Sequence, residues 1–479
     1  MNNRRDFLKQ FAITGAGLLI GQHIVSNQTF ADKISSNFET VDAWAQVPQI
    51  LARIKPPKFR NKDFQITKYG AKPDGVTDCT NAISKAIEVC SKSGGGRVVV
   101  PAGIFLTGAI HLKSNVNLHV SKGATLKFTK DPKAYLPVVF TRWEGMECMN
   151  YSPFIYAYEQ TNIGITGEGT LDGQSDQSFW LWHGNKKYGW KDGMPNQKAD
   201  RAKLYEMMDK GVAVKNRIFG ENHYLRPQFV QPYKCKNVLI EGVTVINSPM
   251  WEIHPVLCEN VTIQNLNINS HGPNNDGCDP ESCKDVLIKN CIFDTGDDCI
   301  AIKSGRNADG RRINVPTENV IVQDCTMKDG HGGITIGSEI SGGVRNVFGL
   351  DCKLDSPNLD HALRVKNNAS RGGLLENFYF KNITVGQVAH AVITIDFNYE
   401  EGAKGGFTPV MRNYVVENLT SGKSEYGVDL QGLDKAPIYN VFIKNTTFDK
   451  VEKGNIIRNL QGVKIENFKL NGKMLETLV

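Results

Sequence analysis

From about Asn237 onward the chain repeats one alternation of apolar and polar positions. "KNVLIEGVTV", "ENVTIQNLNI", "KDVLIKNCIF", "ENVIVQDCTM", "RNVFGLDCKL", "ENFYFKNITV", "RNYVVENLTS" and "YNVFIKNTTF" carry Asn or Asp ahead of alternating apolar residues, often with a second Asn or Asp after them. The first apolar positions are Val238, Val261, Val286, Val320, Val347, Phe378, Tyr414 and Val441. "TNIGITGEGTLDG", from Thr161, is an earlier, degenerate copy. Alternating β-formers punctuated by Asn, Asp and Gly are short strands closed by turns. Their irregular spacing, roughly 25–35 residues, predicts an all-β chain wound as a right-handed parallel β-helix, each coil stacked on the last. A propeller blade would need about 40 residues and four strands. Asn at a fixed turn position either tolerates a left-handed backbone or bonds the next coil.

Two regions break the repeat. In "TDCTNAISKAIEVCSKSG", Ala82, Ile83, Ala86, Ile87 and Cys90 fall at helical spacing, with Thr77 or Asp78 as cap and Gly94 as stop. This helix is expected to lid the open end of the solenoid. Between about 174 and 232 the pattern vanishes into a long polar insert that holds Trp180, Trp182 and Trp190. An insert of this size in a repeat protein usually serves function.

The N-terminus reads as an address. "NNRRDFLKQ" precedes "FAITGAGLLIG", an apolar run too short to span a bilayer. Arg4 and Arg5 ahead of "DFLK" resemble a twin-arginine export signal over residues 1–31, with Thr29 and Ala31 before the cleavage point. The expected product is periplasmic or extracellular and has no membrane-spanning segment. Residues 32–60 are expected to be a linker, and 61–479 a single β-helix domain.

Composition adds little: 479 residues, 40% hydrophobic and 22% charged, give an ordinary soluble chain with material for a large core. The net charge of +6 suits a polyanionic partner without demanding one. The cysteine count, 11, is odd, and Cys258, Cys291, Cys299, Cys325 and Cys352 sit in strand-like runs, so they read as small buried residues. Cys278 and Cys283 are the pair that could bridge a local loop.

Stacking turns sequence distance into spatial distance, at about 4.8 Å per coil. Asp276 precedes Asp297 by 21 residues, His331 follows it by 34, and Arg364 and Lys366 lie 33 and 35 beyond His331. One stripe up one face therefore reads Asp276, Asp297/Asp298, His331, Arg364/Lys366. Carboxylates this close cannot all ionise easily, so one pKa should rise. A raised carboxyl can protonate a leaving oxygen while ionised neighbours activate water. Arg364 and Lys366, two apart in a strand, could hold a substrate carboxylate. Alone, "GDD" could equally be a solvated turn or a calcium site. The four elements together point to acid–base hydrolysis of an acidic sugar chain.

In their order, "NND", "GDD", "GHG" and "RVK" resemble the motifs of glycoside hydrolase family 28, the polygalacturonase family. Asn275 and Val365 depart from the family's Thr and Ile, at non-catalytic positions. The resemblance implies an inverting hydrolase of α-1,4-galacturonosyl linkages, acting on pectin or polygalacturonate, with no cofactor, metal or nucleic acid partner. The chain is expected to act as a monomer. Carried over, Asp297 is the general acid, Asp276 and Asp298 activate water, His331 supports the acid, and Arg364 and Lys366 bind the galacturonate carboxylate. Tyr399, Asn274 and Lys303 are further candidate substrate contacts. "GDDCIAIKSGRNADGRR" and "TRWEG" followed by "YSPFIYA" resemble the bacterial exo-acting branch. The insert would then wall off one end of the cleft, with Arg142, Trp143, Trp180 and Trp182 as wall or stacking candidates. Rival readings are a rhamnogalacturonan or xylogalacturonan hydrolase, a calcium-dependent pectate lyase, and a non-catalytic carbohydrate-binding β-helix.

Overall fold

The computed structural model describes residues 42–478, so the export signal at 1–31 lies outside the described residues. The repeats form parallel ladders. Val238 pairs with Val261, Val261 with Val286, Val286 with Val320, and Val320 with Val347. The column continues through Phe378 and Tyr414 to Val441. All eight side chains are buried. The column is apolar because each coil places the same strand position inward, against the coil below.

The residue before each of these positions explains the recurrent Asn. Asn237, Asn260, Asp285, Asn319, Asn346, Asn377, Asn413 and Asn440 all adopt φ between 55° and 65°. Short polar side chains tolerate this region best after glycine. Their amides also bond from coil to coil: Asn346 donates to Asn319 at 3.0 Å, Asn377 to Asn346 at 3.0 Å, and Asn413 to Asn377 at 2.9 Å. Asp285 has no N–H to donate downward, and Arg53 reaches it at 2.7 Å.

A second parallel sheet carries the polar stripe. Its strands are Ile300–Ile302, Ile334–Ile336, His361–Lys366, Ala391–Asp396, Tyr426–Gln431 and Ile456–Arg458. The chain is thus a parallel β-helix. Helix α2 (Thr80–Lys92) caps it, burying Ala82, Ile83, Ala86, Ile87 and Cys90, and Asp78 accepts from the Thr80 N–H at 2.8 Å.

The expected linker is partly structured. Helix α1 (Gln46–Arg53) lies on the outside of the sheet, where Ile50 and Ile54 pack with Ile321 and Phe348. Outward-facing apolar residues of the repeat need cover, and the stripe Val47, Ile50, Leu51, Ile54 supplies it. The insert folds into short turns and helix α3 (Lys198–Asp209). Cys278 and Cys283 are not bridged; all eleven cysteines are buried free thiols. Among the described residues no helix is long and apolar enough to cross a membrane.

Candidate active site

The stripe assembles at the polar sheet. Ile253, Cys278, Ile300, Ile334 and Leu363 form one column, and Asp276 and Asp298 each lie two residues before a member of it. Asp276 and Asp298 are thus neighbours on successive coils. Asp297 lies one coil from His331, whose Nδ1 sits 3.0 Å from Asp297 Oδ1. Nearest carboxylate oxygens of Asp276, Asp297 and Asp298 lie within 4.8 Å of one another. The backbone bends at this turn, so both adjacent aspartates join Asp276 in one carboxylate cluster instead of pointing to opposite faces.

The basic pair is placed differently from expectation. The coil between Ile334 and Leu363 is only 29 residues long, so Arg364 stacks on Thr335 and not on His331. Its guanidinium still reaches back to donate to the His331 carbonyl at 3.2 Å. Lys366 spans two coils to meet Asp298 Oδ2 at 2.5 Å, and Thr335 donates to Asp298 Oδ1 at 3.1 Å. Both cations lie over the Tyr399 ring, at 5.7 and 5.3 Å. Tyr399 therefore positions the pair as well as bordering the pocket.

The three carboxyl groups differ in environment. Asp276 is buried, and burial together with the charge of Asp297 pushes its pKa well above the usual range, against the pull of Lys303. One Asp276 oxygen has no hydrogen-bond partner in the protein. Burial raises Asp297 too, but the hydrogen bond and charge of His331, helped by Lys366 and Lys303, outweigh it and hold Asp297 below its ordinary value. His331 moves the other way, from 6.5 to about 9, through its bond to Asp297. The raised carboxyl expected from the sequence is thus Asp276 in the free protein, and the proton of the Asp297–His331 pair rests on histidine. Asp297 is nevertheless the most accessible of the three: its side chain is 17% exposed, against 4% for Asp276 and 0% for Asp298. On distance alone the three aspartates could also hold a cation.

The site opens into a polar cavity of about 80 Å³. Asn274 borders it while accepting from Arg226 at 2.6 Å. Lys303 is buried between Asp276 at 3.5 Å, Asp279 at 3.6 Å and Glu339 at 3.1 Å, so it orients carboxylates and has little surface left for a sugar. Two expected wall residues are not there. Arg142 is fully buried, paired with Glu281 at 3.1 Å. Trp143 is fully buried in an apolar cluster that joins the hairpin to the insert's Leu204, Met208 and Phe219, donating to the Arg226 carbonyl at 3.0 Å. The hairpin Val139–Trp143/Met146–Asn150 turns both inward and presents its turn residue, Glu144, to the cavity instead. Trp182 packs on Phe179 and Tyr224. Trp180 lies against Gly272, where a Cβ would come within 2.2 Å of the indole, and Gly296 of the aspartate turn packs on Gly272 in turn. Trp180 is the insert tryptophan beside the chemistry. Trp190 instead donates to the Met194 carbonyl within the insert, at 2.9 Å.

Sequence reasoning missed Glu144, Arg201, Arg306, Glu339 and Glu400 as lining residues of the cavity. Arg201 comes from α3 of the insert and pairs with Glu144 at 2.7 Å. Glu144 and Arg306 fall inside "TRWEG" and "GDDCIAIKSGRNADGRR", stretches noted above only for their resemblance, and Arg201 lies in the insert; Glu339 and Glu400 carry no motif.

The family model "Glycosyl hydrolases family 28" matches residues 210–467. The chain belongs to this family. A second model, "Rhamnogalacturonase A/epimerase, pectate lyase-like", matches residues 64–130, the capped front of the solenoid. A hyperthermoactive exopolygalacturonase from Thermotoga maritima superposes with a TM-score of 0.88 at 47% identity, over 91% of this chain and 97% of that one. An endo-polygalacturonase from Pectobacterium carotovorum is 30% identical over 78% of this chain and 85% of its own length. An exo-poly-alpha-D-galacturonosidase from Dickeya chrysanthemi is 28% identical over 75% of this chain, which spans 62% of that protein's length. As a family 28 member, the protein is a glycosidase, and its relatives include both exo- and endo-acting enzymes.

Proposed function

We propose that the protein removes galacturonate from the non-reducing end of polygalacturonate chains by acid–base hydrolysis. The observation that carries this reading is the cavity itself. Asp276 and Asp297 line it beside Lys366, and Glu144 and the insert's Arg201, paired at 2.7 Å, line it as well. An insert that walls off one end of the cleft would admit a chain terminus and exclude a chain interior. The likeness to the Thermotoga exopolygalacturonase supports the same mode.

In this mechanism the terminal sugar enters the cavity and its carboxylate meets Arg364 and Lys366. These cations then share their charge with the substrate, and Asp297 loses part of what holds its pKa down. The proton on His331 crosses the 3.0 Å bond to Asp297, which delivers it to the glycosidic oxygen. Once Asp297 is protonated, the neighbouring charge that helps raise Asp276 is gone; Asp276 then gives up its proton to solvent, and Asp276 and Asp298 draw a proton from the attacking water. Inversion is the stereochemical outcome proposed. The carboxylate oxygens, within 4.8 Å, lie closer than the separation of about 6.5–9.5 Å typical of an inverting acid and base. Here two carboxylates, not one, hold the water, which lets it sit to the side of the acid. The first-formed sugar, followed by NMR, is expected to be the β-anomer; an initial α-anomer overturns inversion and makes one aspartate a nucleophile.

The Asp297–His331 pair also sets a pH window. His331 is raised above its ordinary 6.5, so the pair's contribution is complete below that value and is lost as pH rises through about 9. The alkaline limb of kcat/KM is therefore expected near pH 9. His331→Gln should abolish that limb and lower the plateau by about 100-fold. An unchanged limb in the variant assigns it to another group.

A further inference from the structure

The cavity has two chemically distinct sides. On one side Lys366 pairs with Asp298 at 2.5 Å and Arg364 lies 3.7 Å from it, both within reach of a substrate carboxylate. On the other side each anion faces a cation. Arg201 pairs with Glu144 at 2.7 Å, Arg306 with Glu339 at 2.7 Å, and Glu400 with Arg371 at 2.7 Å. Tyr205 stacks between Arg201 and Arg306, at 5.1 and 5.0 Å, and donates to Glu144 at 3.2 Å. Arg306 is 98% buried by its 2% exposure, and its Nε has no hydrogen-bond partner in the protein.

A wall of alternating donors and acceptors with no net charge does not suit a second carboxylate. It suits a row of hydroxyls, each of which donates and accepts at once. Resting on the exo reading above, we infer that this wall recognises the free hydroxyls of the terminal galacturonate, the 4-hydroxyl included, and so rejects chain ends that lack it. Eliminative cleavage of polygalacturonate leaves a 4,5-unsaturated ring at the new non-reducing end, because the C4–O bond is the one that breaks and the C5 proton is lost. Hydrolytic cleavage leaves the 4-hydroxyl intact. The substrate of this enzyme must therefore be supplied by hydrolases and not by lyases. A site built around a substrate hydroxyl discriminates strongly against the analogue without it, since buried polar groups are then left unpaired. Arg201 is the specificity residue to test, because it is 41% exposed on α3 and its loss leaves the solenoid intact.

The experiment compares kcat/KM for trigalacturonate and for 4,5-unsaturated trigalacturonate, with products resolved by anion exchange. The unsaturated trimer is expected to be at least about 100-fold poorer. In Arg201→Ala the saturated trimer should lose at least about tenfold and the unsaturated one under about threefold, narrowing the ratio. A wild-type ratio within about threefold, with unsaturated monomer released, overturns the inference while leaving exo-attack standing. Equal losses on both trimers in the variant overturn the role of Arg201 in reading the hydroxyl. A ladder of oligomers from long polygalacturonate instead defeats the exo reading on which the inference rests.

Discussion

Asp297→Asn is expected to lower kcat on polygalacturonate by about 10³–10⁴-fold while the affinity for substrate changes by less than about threefold. The substitution preserves shape and the contact to His331 but removes the group that carries the proton to the leaving oxygen. A leaving group that needs no proton tests the role directly. On a nitrophenyl galacturonide the loss in Asp297→Asn should shrink to under about tenfold, whereas Asp276→Asn should lose about as much on both substrates. The distinction matters because burial gives Asp276, not Asp297, the raised pKa in the free protein. Rescue of Asp276→Asn and not of Asp297→Asn would transfer the acid role to Asp276. Accessibility argues for Asp297, since a glycosidic oxygen has to touch the acid.

Lys366→Ala carries the second large effect. Lys366 Nζ is 2.5 Å from Asp298 Oδ2, and both side chains are nearly or fully buried. Removing one partner of a buried pair costs about 3–5 kcal/mol because the other charge is left behind. Arg364, at 3.7 Å from Asp298, compensates only in part. Activity should fall further, by about 10²–10³-fold in kcat/KM, since the same ammonium serves the substrate carboxylate and the water-activating Asp298. Lys366→Arg should recover thermal stability but little activity, because a planar fork does not replace a point charge in a fitted cavity. The measurements are a melting curve and kcat/KM on trigalacturonate; a variant with near-normal kcat/KM would remove Lys366 from the site.

The solenoid was legible because stacking forces each coil to repeat one pattern: Val238 through Val441 form the column that their spacing implied, and the Asn beside each one both turns the chain and bonds the next coil. The aspartate trio was legible for the same reason. What failed depended on coil length and on side-chain direction. Arg364 stacks on Thr335 because one coil is shorter than its neighbours, which a face-by-face count of residues cannot reveal. Arg142 and Trp143 turn inward while the adjacent Glu144 faces the cavity, and a hairpin's orientation is set by what packs against it. Helix α1 was missed because its apolar stripe is short and covers the outside of a sheet, a surface the repeat itself does not mark as needing cover.

The most direct test of the account is the time course of products from long polygalacturonate, resolved by anion-exchange chromatography. The exo reading predicts monomeric galacturonate from the first time point, with the viscosity of the polymer falling only slowly. Early appearance of a ladder of oligomers, with rapid thinning, would contradict it: the cleft would be open past the insert, and attack would fall within the chain.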